Sequence, residues 1–133
     1  MNRERIEREL TLLRSGGLVV ELVEGGRPIV LYRNVPTGAE RLGLPAVTDV
    51  VVPVPDGYPA SMIDLAGLPA DSPLLPRLKG GQNNQGELAA DGRQWRLASY
   101  HPHNGGGGPP WDPSRHGFHT YFDQIVAWLH HSN

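Results

Sequence analysis

Between Asn2 and Arg14 the apolar residues Ile6, Leu10 and Leu13 recur at i, i+4 and i+7 among arginines and glutamates, and Gly16-Gly17 follows as a stop. This spacing predicts an amphipathic helix docked on the surface of the fold. Residues 18–23 (LVVELV) and 28–35 (PIVLYRNV) are rich in β-branched side chains and flank Gly25-Gly26, which predicts an antiparallel hairpin. Residues 48–54 (TDVVVPV) predict a third strand, with Pro53 at an edge or a strand end because it has no N–H to give a ladder. A sharp turn at Pro55-Asp56-Gly57-Tyr58-Pro59 opens a stretch to Gly92 whose apolar pieces are short, such as Ile63 to Leu65. A loop of that length is expected to pack along one side of the sheet. Residues 94–100 (QWRLASY) alternate as a short half-buried strand, and residues 101–115 have no period. Phe118, Tyr121, Phe122, Ile125, Trp128 and Leu129 then fall on one wide helical face.

The expected fold is α+β: an N-terminal helix, an antiparallel meander of three or four strands, an irregular active-site-like region and a C-terminal helix packed across the sheet. A chain of 133 residues buries about 70% of its unfolded surface, so residues 1–133 are read as one domain. Most of the 17 glycines and 13 prolines lie between Val35 and Pro113, which excludes a helical bundle. The formal net charge is −2 and the basic residues are scattered, so no field exists to gather nucleic acid or an anionic membrane. No apolar run approaches the ~18 residues of a membrane span. The first 15 residues are charged and amphipathic rather than a signal peptide, so a cytoplasmic protein is expected. With no cysteine there is no disulfide, thiolate metal site, cysteine nucleophile or thioester on this chain.

The densest chemistry is Ser99-Tyr100-His101-Pro102-His103-Asn104, then four glycines, then Pro109-Pro110-Trp111-Asp112-Pro113. A loop held between a strand and a helix is a common seat of function. The plainer alternative has His101 and Asn104 bonding loop backbone, Trp111 capping the core and the prolines stiffening the path. The order of helix, meander, Tyr58-Pro59 turn, strand, His101-Pro102 with Asn104, and Trp111-Asp112-Pro113 before a helix resembles the ubiquitin-conjugating (E2, UBC-like) superfamily. In that superfamily a Tyr-Pro turn follows the third strand, a His-Pro-Asn precedes the catalytic cysteine, and a Trp-x-Pro opens the next helix. Gly92-Arg93-Gln94-Trp95, Ser99-Tyr100-His101-Pro102 and Trp111-Asp112-Pro113 are similar, more narrowly, to its bacterial branch, prokaryotic family E. The resemblance runs over roughly residues 18–129, with specific motifs only from Val54 onward.

The resemblance implies a bacterial ubiquitin-like protein conjugation pathway of the kind associated with phage defence. Its implied partners are a ubiquitin-activating-like enzyme, a ubiquitin-like protein and a deconjugating protease. The departure is as informative: Asn104 is followed by glycines 105–108, Pro109, Pro110 and then Trp111, so both the cysteine and the room for it are gone. Thioester exchange is therefore excluded, and two readings remain. In one, a hydroxyl of Ser99, Ser114, Tyr100 or Thr120 accepts the acyl group as an oxyester, with His101, His116 or His119 as general base and Asn104 orienting the loop or an oxyanion. The catalytic candidates are then Ser99, His101, Asn104, Ser114 and His116; Ser99 and His101 share a face only if the strand continues that far. Ordinary roles compete, with Ser114 capping the last helix and Ser99 buried in its strand. In the other reading the fold is a non-catalytic adaptor. Its first helix, with Arg3, Arg5, Arg8 and Arg14, lies where family members dock their activating enzyme, although the same charges also suit a solvated face.

A third class of function is a metal-binding module, because His101, His103, His116 and His119 are enough imidazoles for a site. Their spacing matches no compact signature, so no metal or cofactor is expected. Lys79-Gly80-Gly81 lacks the frame of a phosphate loop and reads as a turn. Asp49, Asp56 and Asp64 have no second carboxylate at a spacing for paired acid–base work. Lys79 is the only lysine.

Overall fold

The computed structural model describes residues 1–81, 83–103 and 109–130. Helix α1 (Arg3–Ser15) starts where Asn2 Oδ1 accepts the Arg5 amide at 3.1 Å and ends on Gly16, whose N–H returns to the Leu13 carbonyl. The strands follow as β1 (Val19–Val23), β2 (Ile29–Pro36), β3 (Val47–Pro53), β4 (Ala66–Pro69), β5 (Asn84–Ala90) and β6 (Arg93–Ala98), and α2 (Phe118–His130) closes the described chain. They form one antiparallel sheet in the order β1-β2-β3-β4-β6-β5. The meander of three or four strands expected from the sequence is thus corrected to six among the described residues, and Pro53 sits at a strand end.

The additional strands come from the stretch read as irregular. Strand β5 (NQGELAA) has almost no apolar alternation and lies at the sheet edge, mostly exposed. It forms because Asp91 and Gly92, with φ of 55° and 70°, make the two-residue turn that hairpin twist favours. Strand β4 (AGLP) is short and sits between β3 and β6, where a Cβ on Gly67 would come within 3.0 Å of side chains on both neighbours.

Both faces of the sheet are covered. On one face Val30, Tyr32, Val50, Val52 and Ala98 meet Ile6, Leu10 and Leu13 of α1 and Phe118, Tyr121, Ile125, Trp128 and Leu129 of α2. On the other, Ile29, Leu31, Val51, Trp95 and Leu97 make a second buried cluster. Strand residues alternate between faces, which is why β2 and β3 read as continuous apolar runs rather than as HPHP patterns. The second cluster is rimmed by ion pairs of Arg33 with Glu21 and Asp91 and of Arg93 with Asp49. The Arg93 guanidinium lies 4.3 Å from the centre of the Trp95 ring.

Candidate active site

Strand β6 stops at Ala98, one residue before Ser99, because the chain folds back: the Tyr100 amide donates to the Ala98 carbonyl at 2.9 Å. The Tyr100 ring turns into the core, stacked 4.8 Å from Trp128, and its hydroxyl donates to the Gln124 carbonyl at 2.6 Å. Ser99 is left facing the other way. Its amide donates to the Gly80 carbonyl at 3.0 Å, and an added Cβ on Gly80 would fall 1.8 Å from the Ser99 carbonyl oxygen. Gly80 also has φ +76°, where a side chain is strained. The Lys79-Gly80-Gly81 turn is therefore a backing plate for Ser99, and Trp128 Nε1 holds that turn by donating to the Lys79 carbonyl at 2.9 Å.

This turn, not a continued strand, brings Ser99 to His101. Ser99 Oγ lies 3.1 Å from His101 Nε2, and His101 Nδ1 lies 2.8 Å from the Asp64 carbonyl oxygen. A carbonyl can only accept, so Nδ1 carries the proton and Nε2 presents its lone pair to the serine hydroxyl. That is the tautomer a general base needs. Asp64 Oδ1 is also 2.9 Å from Nδ1, yet it has no hydrogen-bond partner and is buried. The N–H is directed at the carbonyl, and the carboxylate oxygen lies off that axis, acting by charge alone. The His101 and Asp64 side chains are 32% and 40% exposed, which leaves the group open to reactants.

The other predicted pair is not assembled. Ser114 Oγ donates to Asp112 Oδ1 at 2.7 Å, and its amide donates to the same oxygen. Those bonds hold the Asp112 carboxyl below its ordinary value. His116 Nδ1 accepts the Asp112 amide at 2.9 Å, so its lone pair is spent on backbone and not on Ser114. Burial and then the neighbouring His103, 4.8 Å away ring to ring, push His116 below the usual imidazole range. Nor does Ser114 cap α2: Glu9 accepts the Phe118 amide, and Thr120, inside the first turn, reaches back to accept the Gly117 amide at 3.0 Å. Burial pushes the Tyr100 phenol well up, and its hydroxyl is committed to the Gln124 carbonyl on the core side. Asn104 and glycines 105–108 lie outside the described residues. The histidine nitrogens turn to separate partners even where the rings are close: His103 Nδ1 donates to the Pro109 carbonyl and His119 Nδ1 sits 3.9 Å from Glu9. Among the described residues no three His, Asp or Glu side chains gather to hold a metal.

Two residues of this site carry no motif in the sequence. There Asp64 stands as a lone carboxylate and Gly80 as a turn glycine. The only local signal for Asp64 is a charged residue between Ile63, buried under the helices, and Leu65, packed on the opposite cluster.

Two of the motifs that gave the resemblance, the Tyr58-Pro59 turn and the Trp111-x-Pro113 segment, meet at one place beneath α1. The Tyr58-Pro59 bond is cis, the Pro59 carbonyl accepts from Trp111 Nε1 at 2.9 Å, and the Tyr58 ring lies 4.9 Å from Phe118 and 6.2 Å from Trp111. Tyr58 also donates its hydroxyl to Glu9 of α1, and Glu9 accepts the Phe118 amide that opens α2. Turn, Trp-x-Pro segment and both helices are thus a single joint, and a family model described as "Prokaryotic E2 family E" matches residues 6–132. The chain belongs to prokaryotic E2 family E. No curated protein and no solved structure matches it. Membership in this E2-like family places the chain, in general terms, with bacterial ubiquitin-like conjugation and with the ubiquitin-like protein and activating enzyme such pathways use. Among the described residues no helix is long and apolar enough to cross a membrane. The 133-residue sequence of this family E chain contains no cysteine.

Proposed function

We propose that this chain is a cysteine-free conjugating component of a bacterial ubiquitin-like protein pathway, with Ser99 as the acyl acceptor and His101 as its general base. The observation that carries this reading is the 3.1 Å approach of Ser99 Oγ to an Nε2 whose lone pair is freed by the Nδ1–H to Asp64 bond. Ser99 Oγ attacks the activated C-terminal carboxyl of the ubiquitin-like protein, His101 takes the hydroxyl proton, and the activating group leaves. An oxyester is formed. An amine of the target then attacks that carbonyl, the carbon–Oγ bond breaks with the serine oxygen taking the proton from His101, and the new amide nitrogen releases its surplus proton to water.

The test is intact mass spectrometry after incubation with the activating enzyme, ATP and the ubiquitin-like protein, before and after mild base. A base-labile adduct that maps to Ser99 is expected, with its rate of formation falling about 10²–10⁴-fold in His101→Gln. An adduct that persists in Ser99→Ala refutes the assignment. The adaptor reading rests on a different observation: Leu12 of α1 is 60% exposed, on a groove it shares with Glu4, Glu7, Arg8 and Thr11. It predicts a stable complex with the activating enzyme and no adduct at any hydroxyl.

A further inference from the structure

Asp64 is placed to act on His101 from the side away from Ser99. Its Oδ1 is closed off from solvent and lacks any donor, yet lies 2.9 Å from His101 Nδ1. A buried carboxylate oxygen without a hydrogen bond is costly. Here Ile63 and Leu65 are anchored in the two cores on opposite faces of the sheet, so the residue between them is fixed in place. Beside a neutral imidazole the oxygen gains little; beside an imidazolium at that distance it gains a direct charge interaction. The arrangement therefore favours the moment at which His101 has taken the Ser99 proton, whatever acyl group is being transferred. Asp64 does not touch the reacting atoms and acts through His101, which makes it a positioning residue.

Resting on Ser99 as an acyl acceptor, we infer that Ser99, His101 and Asp64 give this chain an esterase activity of its own on small, unhindered oxygen esters, without an activating enzyme. Ser99 Oγ bonds to the ester carbonyl carbon, His101 Nε2 takes the hydroxyl proton, the bond to the alkoxy oxygen breaks, and the proton passes to the departing alcohol. Water then adds to the acyl-serine carbonyl, His101 takes the water proton, the bond from carbon to Oγ breaks, and the proton returns to Ser99. The sum is one ester and one water giving one acid and one alcohol, with no redox partner.

The experiment uses the purified full chain with p-nitrophenyl acetate, followed by nitrophenolate release, and with a fluorophosphonate probe, followed by intact and fragment mass. The probe forms an Oγ–P bond and expels fluoride, with the proton passing to His101. Expected are ester turnover and a single fluorophosphonate adduct on Ser99, both lost in Ser99→Ala and both reduced about 10²–10⁴-fold in His101→Gln. Asp64→Asn should lower kcat by about tenfold or more at unchanged KM, and Asp64→Glu should restore part of it. A thermal melt of each variant separates a lost base from a lost fold. Ser15→Ala, a change on the exposed end of α1, should leave both readouts as they were. No adduct, an adduct on another residue, or turnover indifferent to His101 and Asp64 would overturn the inference. Failure here with a Ser99 oxyester still formed by the activating enzyme sinks the esterase and spares the conjugation proposal. Turnover here without that oxyester does the reverse.

Discussion

Replacing Glu9 should damage this fold more than any other single change on the surface of α1, although its position in an Arg/Glu-rich helix marks it as a solvated charge. Only 5% of it is exposed. One carboxylate oxygen accepts the Tyr58 hydroxyl at 2.5 Å and the Phe118 amide at 3.0 Å, and the other accepts Arg5 Nε at 2.8 Å. Arg5 in turn donates to the Pro113 and His116 carbonyls. Glu9→Leu leaves a phenol, an amide and a guanidinium facing apolar atoms and should cost about 3–5 kcal/mol. Glu9→Gln keeps the oxygen for Tyr58 and Phe118 but turns an NH2 toward Arg5 Nε–H, so about 1.5–3 kcal/mol should be lost. At about 4 °C per kcal/mol for a domain of this size, the melts should fall by about 12–20 °C and about 6–12 °C. Urea titration measures both, with the midpoint moving and the m-value constant. A cycle with Tyr58→Phe should show coupling above about 0.5 kcal/mol. If Glu9→Gln is within about 0.5 kcal/mol of the parent, as ordinary surface changes are, the joint described here does not exist.

Gly80→Ala should destabilise by more than the roughly 1–2 kcal/mol of a left-handed alanine, because its Cβ would strike the Ser99 backbone; base-labile adduct formation should fall with it. Gly117→Ala puts a Cβ 2.3 Å from Glu9 Oε2 and should reproduce much of the Glu9→Gln loss in the same urea titration. Because burial and His103 depress His116 below its ordinary value of 6.5, the unfolded chain binds its proton first as pH falls. Its contribution is present above pH 6.5 and is lost as pH drops through the lowered value. Melting temperatures between pH 7.5 and 5 should therefore fall less steeply in His116→Asn, and an unchanged slope would show that this ring does not set it.

Both helices, the first hairpin and the third strand follow from the spacing of apolar residues, since each buries one regular face. Strand β5 could not be read that way, because it is an exposed edge whose pairing is set by the Asp91-Gly92 turn rather than by its own side chains. Glu9 escaped for a related reason: helical period marks which face is buried, not whether a charge there meets its partners. At the site, Ser99 and His101 were legible as neighbours. Their contact was not, because it depends on the strand ending at Ala98, and Asp64 comes from a segment 37 residues away with no motif around it.

The hydrogen bond from the Tyr100 amide to the Ala98 carbonyl closes a very short ring of chain, and it makes two members of the site local while the third is remote. Ser99 and His101 travel together on that bend, so breathing of the surrounding domain moves them as one piece. Asp64 reaches them from a remote segment, through the packed sheet and a single hydrogen bond from His101 Nδ1 to its backbone carbonyl. A mild loosening of the tertiary structure would thus detach the carboxylate while the serine and imidazole stay in contact. Reactivity would decline in two stages on warming, the first before the cooperative melt and the second with it.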